Sequence, residues 1–163
     1  MDRLKRILEN EDTVIFVGSG VSRWSGLPSW EGLIESLAQH LEQTGIDASL
    51  VRLEAEHGDL LQAASYGVDK LSDHQFKNFI RSVSQTGTAT THSIHEKIMK
   101  LGPSCFITTN YDDLLEQAFR KWRETPSEPL VVLNRSFLEQ SEIVQTQARD
   151  YIFKTHGLSL IHI

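Results

Sequence analysis

Short apolar runs that end abruptly in polar or glycine-containing clusters constrain this chain more than any other feature of its sequence. Val14-Ile15-Phe16-Val17 runs straight into Gly18-Ser19-Gly20, and Cys105-Phe106-Ile107-Thr108-Thr109 runs into Asn110-Tyr111-Asp112. Leu130-Val131-Val132-Leu133 follows, and Tyr151-Ile152-Phe153-Lys154 ends at His156-Gly157. Runs this short, rich in β-branched and aromatic residues, read as buried strands. Between them, apolar residues recur at helical spacing. Leu33, Ile34, Leu37, Ala38 and Leu41 form one such set, with Ser29 placed to cap it, Glu31 in its first turn and Gly45 at its end. Ile94, Ile98, Met99 and Leu101 form another before Gly102-Pro103, and Leu114, Leu115, Ala118 and Phe119 a third. Strands alternating with helices predict an α/β fold with a parallel sheet flanked by helices.

The stretch from Asp47 to about Ser84 is helical in pattern but carries no strand. Leu60, Leu61, Ala64 and Tyr66 mark one segment, and Phe76, Phe79, Ile80 and Val83 another. We read it as a helical insertion over about 47–84 in a single domain spanning 1–163. Met1 to Asn10 reads as the start of an amphipathic helix and lacks the form of a signal peptide.

Composition narrows the function classes. A formal net charge of -6 argues against a surface built for nucleic-acid phosphates or acidic membranes. No apolar run approaches the roughly 20 residues of a membrane helix. The lone cysteine, Cys105, sits in an apolar run and reads as a buried, inert thiol. One cysteine forms neither an internal disulfide nor a four-cysteine zinc site, so a reducing, cytoplasmic setting is expected.

In a parallel sheet, ligands bind at the carboxyl ends of the strands. Three polar clusters share that address: Gly18-Ser19-Gly20, Thr109-Asn110-Tyr111-Asp112 and His156-Gly157. Glycines after a first strand let backbone N–H groups approach a pyrophosphate, and Ser19 and Ser22 add hydroxyls. The loop is neither of the two common nucleotide motifs. Arg23 stands where a dehydrogenase loop has its third glycine, and no Gly-Lys-Ser/Thr follows. By itself the loop is read equally well as a tight structural turn.

The wider pattern resembles the sirtuin signature. Gly18-Ser19-Gly20-Val21-Ser22 followed by Gly26-Leu27-Pro28-Ser29-Trp30 is similar to its Gly-Ala-Gly-Ile-Ser and Ser-Gly-Ile-Pro-aromatic motifs. Thr108-Thr109-Asn110-Tyr111-Asp112 resembles Thr-Gln-Asn-Ile-Asp, and His156-Gly157 resembles the later His-Gly pair. Ser19 for alanine, Tyr111 for isoleucine and Trp30 in place of Asp-Phe-Arg look like the sirtuin-like domains of bacterial anti-phage defence proteins. The resemblance implies a Rossmann-like sheet and an NAD+ hydrolase that releases nicotinamide and ADP-ribose.

It also implies residue roles. Gly18, Ser19, Gly20, Val21 and Ser22 would take the pyrophosphate and adjacent ribose, with Gly26, Pro28, Trp30, Thr109 and Gly157 completing the NAD+ site. Asn110 would orient the nicotinamide ribose or the attacking water, and Asp112 would stand near the nicotinamide. His156 would be the general base, since imidazole titrates near neutrality. Blander roles stand beside these: helix capping for Asp112, a strand-end structural histidine for His156, a core or hinge aromatic for Trp30. Arg23 and Trp24 read as spacer residues.

Two other functions fit the same residues, a protein deacylase and a non-catalytic module that binds NAD+ or ADP-ribose. A deacylase usually carries a zinc ribbon after the His-Gly motif. None of the histidines has metal-ligand spacing with carboxylates or cysteines, so no metal is expected. His92 and His95, three apart, lack a further ligand. Expected partners are NAD+ and either further copies of the chain or a fused or associated defence effector or sensor domain, with no membrane and no nucleic acid. The sheet is expected to be incomplete at the C-terminus, with its last strand at an open edge. Leu158 to Ile163 resembles read-through of a sequencing adaptor, and the natural protein is expected to be longer.

Overall fold

The structure is a computed structural model that describes residues 2–8, 13–85, 87–123, 128–133 and 150–155. Helix α1 is Asp2–Leu8. Strand β1, Val14–Val17, leads into the short helix α2, Ser19–Ser22, and one 3-10 turn, Arg23–Ser25. Helices α3 (Trp30–Gln43), α4 (Ser49–Glu56), α5 (Leu60–Asp69), α6 (Asp73–Val83) and α7 (Ser93–Met99) follow. The chain then alternates: β2 (Cys105–Thr108), α8 (Leu114–Trp122), β3 (Leu130–Leu133) and β4 (Tyr151–Lys154).

All strand pairs are parallel, in the order β1-β2-β4-β3. The α/β class and the parallel, open sheet therefore match the sequence pattern. The placement of the last strand differs. β4 was expected at an open edge, yet it pairs with β2 on one side and β3 on the other, so that among the described residues β1 and β3 are outermost. Strand order depends on where long connections return, and local hydrophobic pattern carries no record of that.

Among the described residues two large apolar cores result, beside a small cluster of Leu27, Ala89 and Leu114. The first lies on one face of the sheet, where Val17, Phe106 and Ile152 meet Ile98 and Met99 of α7 and Leu115, Ala118 and Phe119 of α8. On the other face of the edge strand, Val14 and Phe16 remain exposed. The second core belongs to the helices. Ile34, Leu37 and Leu41 of α3 pack with Val51 of α4, Ala63 of α5 and Phe76 and Phe79 of α6. Helix α3, which begins before residue 47, thus shares a core with the helices of the 47–84 stretch. Trp30 and Tyr111 pack against this second core. Tyr111 comes from the loop after β2, so the helical unit abuts the carboxyl end of the sheet.

Local signals explain several boundaries. Ser29 caps α3 by accepting from the Gly32 N–H at 3.2 Å. Ser72 and Gln75 form a capping box on α6. Gly45 and Gly102, with φ of 77° and 104°, end α3 and the α7 segment in the left-handed region where a side chain is strained.

Candidate active site

Parallel register brings the ends of β1, β2 and β4 side by side: Val17 pairs with Thr108, and Thr108 with Lys154. Polar side chains then stitch the three ends together. Thr108 Oγ1 donates to the Val17 carbonyl at 2.8 Å and accepts from the Asn110 N–H at 3.0 Å. Thr155 donates its N–H to the Thr108 carbonyl at 2.9 Å. Residues whose spacing in sequence exceeds 90 thus share one small volume.

Asn110 is the centre of this network. Its Nδ2 donates to the Gly18 carbonyl at 3.2 Å and to Ser22 Oγ at 2.7 Å. Ser22 in turn donates its hydroxyl to Asp112 Oδ2 at 2.7 Å. The direction of the chain is fixed by chemistry. A carboxylate and a carbonyl can only accept, and the serine proton is committed to Asp112, so the asparagine must present its NH2 group. Asn110 Oδ1 is left buried without a partner, although the residue lines a cavity. A buried acceptor without a partner is costly unless a ligand or water fills the role. Asp112 does two things at once. Its Oδ1 accepts from the N–H of Leu114, the first residue of α8, at 3.1 Å, one position before the N-cap Asp113, while Oδ2 holds Ser22.

The cavity, about 310 Å³, opens beside this network. Ser19, Ser22, Pro28, Trp30, Thr109, Asn110 and Asp112 line it, all named from the sequence. Leu27, Ser29, Leu33, Leu61, Ile80, Val83, Ser84 and Tyr111 complete the wall, and none of these was singled out as a site residue from sequence, where Ser29 was read as a helix cap. The helical pattern of α6 announces that Ile80 and Val83 share one face. It does not say that this face closes a cavity on the sheet. Burial pushes the Tyr111 phenol up, and its hydroxyl has no partner.

The remaining candidates sit elsewhere. Gly18 and Gly20 border the cavity through Ser19 without lining it. The expected glycine turn is instead the entry to α2: Gly18 is extended, at φ -100° and ψ 177°, and Gly20 is helical. Val21 packs on the sheet core. Gly26, at φ 81°, ends the 3-10 turn. Arg23 and Trp24 are exposed, and the Trp24 ring lies 5.3 Å from that of His92. His156 and Gly157, like the 158–163 tail, lie outside the described residues.

Two buried titratable groups lie outside the cavity lining. Cys105 is buried, and burial pushes its thiol up. His95 is fully buried and accepts the His92 N–H at Nδ1, 3.0 Å. Burial holds its pKa below the ordinary value, opposed in part by the Asp112 charge. Among the described residues no group of three or more His, Cys, Asp or Glu converges as metal ligands, and no helix is long and apolar enough to cross a membrane.

Comparison with known proteins gives this arrangement a family. Residues 104–160 match the model of the SIR2-like domain. An NAD(+) hydrolase ThsA of Acinetobacter baumannii is 32% identical over 121 residues, covering 72% of this chain and 23% of the relative. Defense-associated sirtuin 2 of Bacillus subtilis is 25% identical over 157 residues, 94% of this chain and 14% of the relative. An NAD(+) hydrolase ThsA of Cytobacillus dafuensis is 26% identical over 159 residues, 93% of this chain and 28% of the relative. The chain therefore spans less than a third of the length of each of these relatives. With its parallel sheet, its three sequence motifs in order and these matches, the chain belongs to the SIR2-like, or sirtuin-like, domain family.

Proposed function

We propose that this chain is the NAD+-binding part of a longer bacterial defence protein that hydrolyses NAD+ to nicotinamide and ADP-ribose. The observation that carries the reading is Asn110. Its NH2 group is spent on Gly18 and Ser22, and its carbonyl oxygen is buried, unpartnered and part of a cavity-lining residue. Such an acceptor suits a ribose hydroxyl or a water that must be aimed at a sugar carbon. The names of the relatives, two NAD(+) hydrolases and a defense-associated sirtuin, support the same substrate and setting.

In the proposed reaction a water oxygen attacks the anomeric carbon of the nicotinamide ribose. The bond from that carbon to the nicotinamide nitrogen breaks, its electron pair leaves with neutral nicotinamide, and the water proton passes to His156. The sugar passes through an oxocarbenium-like state, as in other glycoside cleavage. Asn110 orients the water or ribose, and the Asp112 carboxylate stabilises developing positive charge. The cavity volume, 310 Å³, falls at the low end for small-molecule sites. The dinucleotide would thus extend past it, with Ser19 and the open space at Gly18 and Gly20 meeting the pyrophosphate. Longer relatives support a fused effector or sensor domain, and assembly with further copies belongs to the same proposal.

Nicotinamide release by the full-length protein, with its trigger present, is the test. Turnover lost in His156→Ala and in Asn110→Ala, with NAD+ binding retained, is the expected result. Tight nucleotide binding without turnover in the triggered wild type would select a binding module instead.

A further inference from the structure

Lys154 is a buried cation that the proposed reaction does not use. It ends β4 and is 7% exposed. Its Nζ meets two oxygens, the main-chain carbonyl of Asp112 and Glu116 Oε1, the latter at 2.6 Å. Glu116 stands in the first turn of α8, 8% exposed, and its second carboxylate oxygen is buried without a partner. A desolvated ion pair is a poor way to gain stability, since apolar residues of similar volume often do as well or better. The geometry points to a different use.

Asp112 is gripped at three points: Ser22 and the Leu114 N–H hold its carboxylate, and Lys154 holds its carbonyl. The first of these grips continues to Asn110 and Gly18. One connected path therefore joins the ends of β4, β2 and β1, and Lys154 is its anchor on an interior strand. We propose that Lys154 is a positioning residue that holds the Thr109–Asp112 loop in its cavity-lining geometry through the Asp112 carbonyl, with Glu116 as the counter-charge that permits an ammonium at that depth. Lysine suits the place because an ammonium offers several donors from one point, one to the carboxylate and one to the carbonyl. The inference rests on the reading of Asn110 as the group that orients the reacting water or ribose.

The test uses Lys154→Met/Glu116→Leu in the full-length protein, which removes both charges of the pair together, so that neither is left without the other. The expected result is a Tm near that of the wild type, KM within about threefold, and kcat lower by about tenfold or more, the scale on which small misplacements act. Amide exchange of the peptide covering residues 109–116 should quicken by about tenfold or more, while β1 and β2 peptides stay protected. Wild-type kcat in this variant overturns the proposal, and so does unchanged exchange whatever the rate. If the wild type itself releases no nicotinamide, the hydrolase reading fails, and exchange at 109–116 still decides the role of Lys154. Should the double variant not fold, Lys154→Gln/Glu116→Gln, neutral and closer in shape, is judged by the same two readouts.

Discussion

At Gly18 and Gly20 the needs of the fold and the needs of a ligand come apart. Neither residue has a positive φ, and a Cβ built at either meets nothing within 4 Å. The protein itself therefore has no use for glycine there. Gly20→Ala places alanine inside α2, and helix propensity predicts a gain of about 0.5–1 kcal/mol in the free protein. If a pyrophosphate lies against this backbone, the same change weakens NAD+ binding by about tenfold, 1.4 kcal/mol, or more. Urea unfolding and a nucleotide titration on one variant check both signs, and unchanged affinity would remove the pyrophosphate assignment. Ser22 shows the opposite case. Its hydroxyl is engaged twice inside the protein, so Ser22→Ala leaves Asn110 and Asp112 each one partner short. A loss of about 1–3 kcal/mol is expected by denaturant unfolding, together with reduced nicotinamide release. From sequence, Ser22 looked like one more phosphate-facing hydroxyl. Its partners are 88 and 90 positions away, a separation that no local pattern records.

The elements themselves were legible wherever one local rule decided them. Each four-residue strand falls on one of the short runs named above, α3 starts at its Ser29 cap, and Gly45 and Gly102 end their segments at positive φ. What the elements do to one another was less so. Nothing in the local sequence pairs Glu116 with Lys154, which meet only when α8 and β4 are brought together. The α3–α5 contact is a sharper example. Gly67 in the middle of α5 looks like a helix-weakening residue that alanine would improve. In the fold its missing Cβ is occupied: one built there would stand 2.4 Å from Leu37 Cδ2 and 2.8 Å from Leu37 Cγ. Leu37 is 2% exposed and surrounded by the helical core, so it has little room to withdraw. Gly67→Ala is thus predicted to destabilise, by about 1–3 kcal/mol of overpacking against a propensity gain of about 1 kcal/mol. A urea midpoint equal to or above that of the wild type would mean that α3 and α5 separate easily. Because the same helices carry Trp30, Leu33 and Leu61 to the cavity wall, the substitution should also raise KM for NAD+.

Among the described residues with shifted pKa values, the pH dependence of stability near neutrality turns on His95. Burial holds its folded pKa below the reference value of 6.5, and the unfolded chain titrates near that reference. Below about pH 6.5 the unfolded state therefore binds the proton more readily than the folded state. Stability from this group is complete above the unfolded pKa and is lost as the pH falls, with a slope approaching 1.4 kcal/mol per pH unit for one proton. The carboxylates with lowered pKa, Glu31, Glu42, Asp47 and Glu96, act in the same direction but only at lower pH, from their reference values of 4.5 and 3.8 downward. All four are screened by solvent, so their contribution is small. Between about pH 6.5 and 5, His95 should then dominate among the described residues with shifted pKa values. His95→Gln, which keeps an acceptor for the His92 N–H, should flatten the stability profile as the pH falls through that interval. Tm measured across that range in the wild type and the variant checks this, and parallel profiles would move the acid sensitivity to another group. The interval matters for the site because His95 feels the Asp112 charge. A proton taken up at His95 would break the 3.0 Å bond from His92 and place a cation near the carboxylate that holds Ser22. Acid should therefore loosen the start of α7, where His92 and His95 meet.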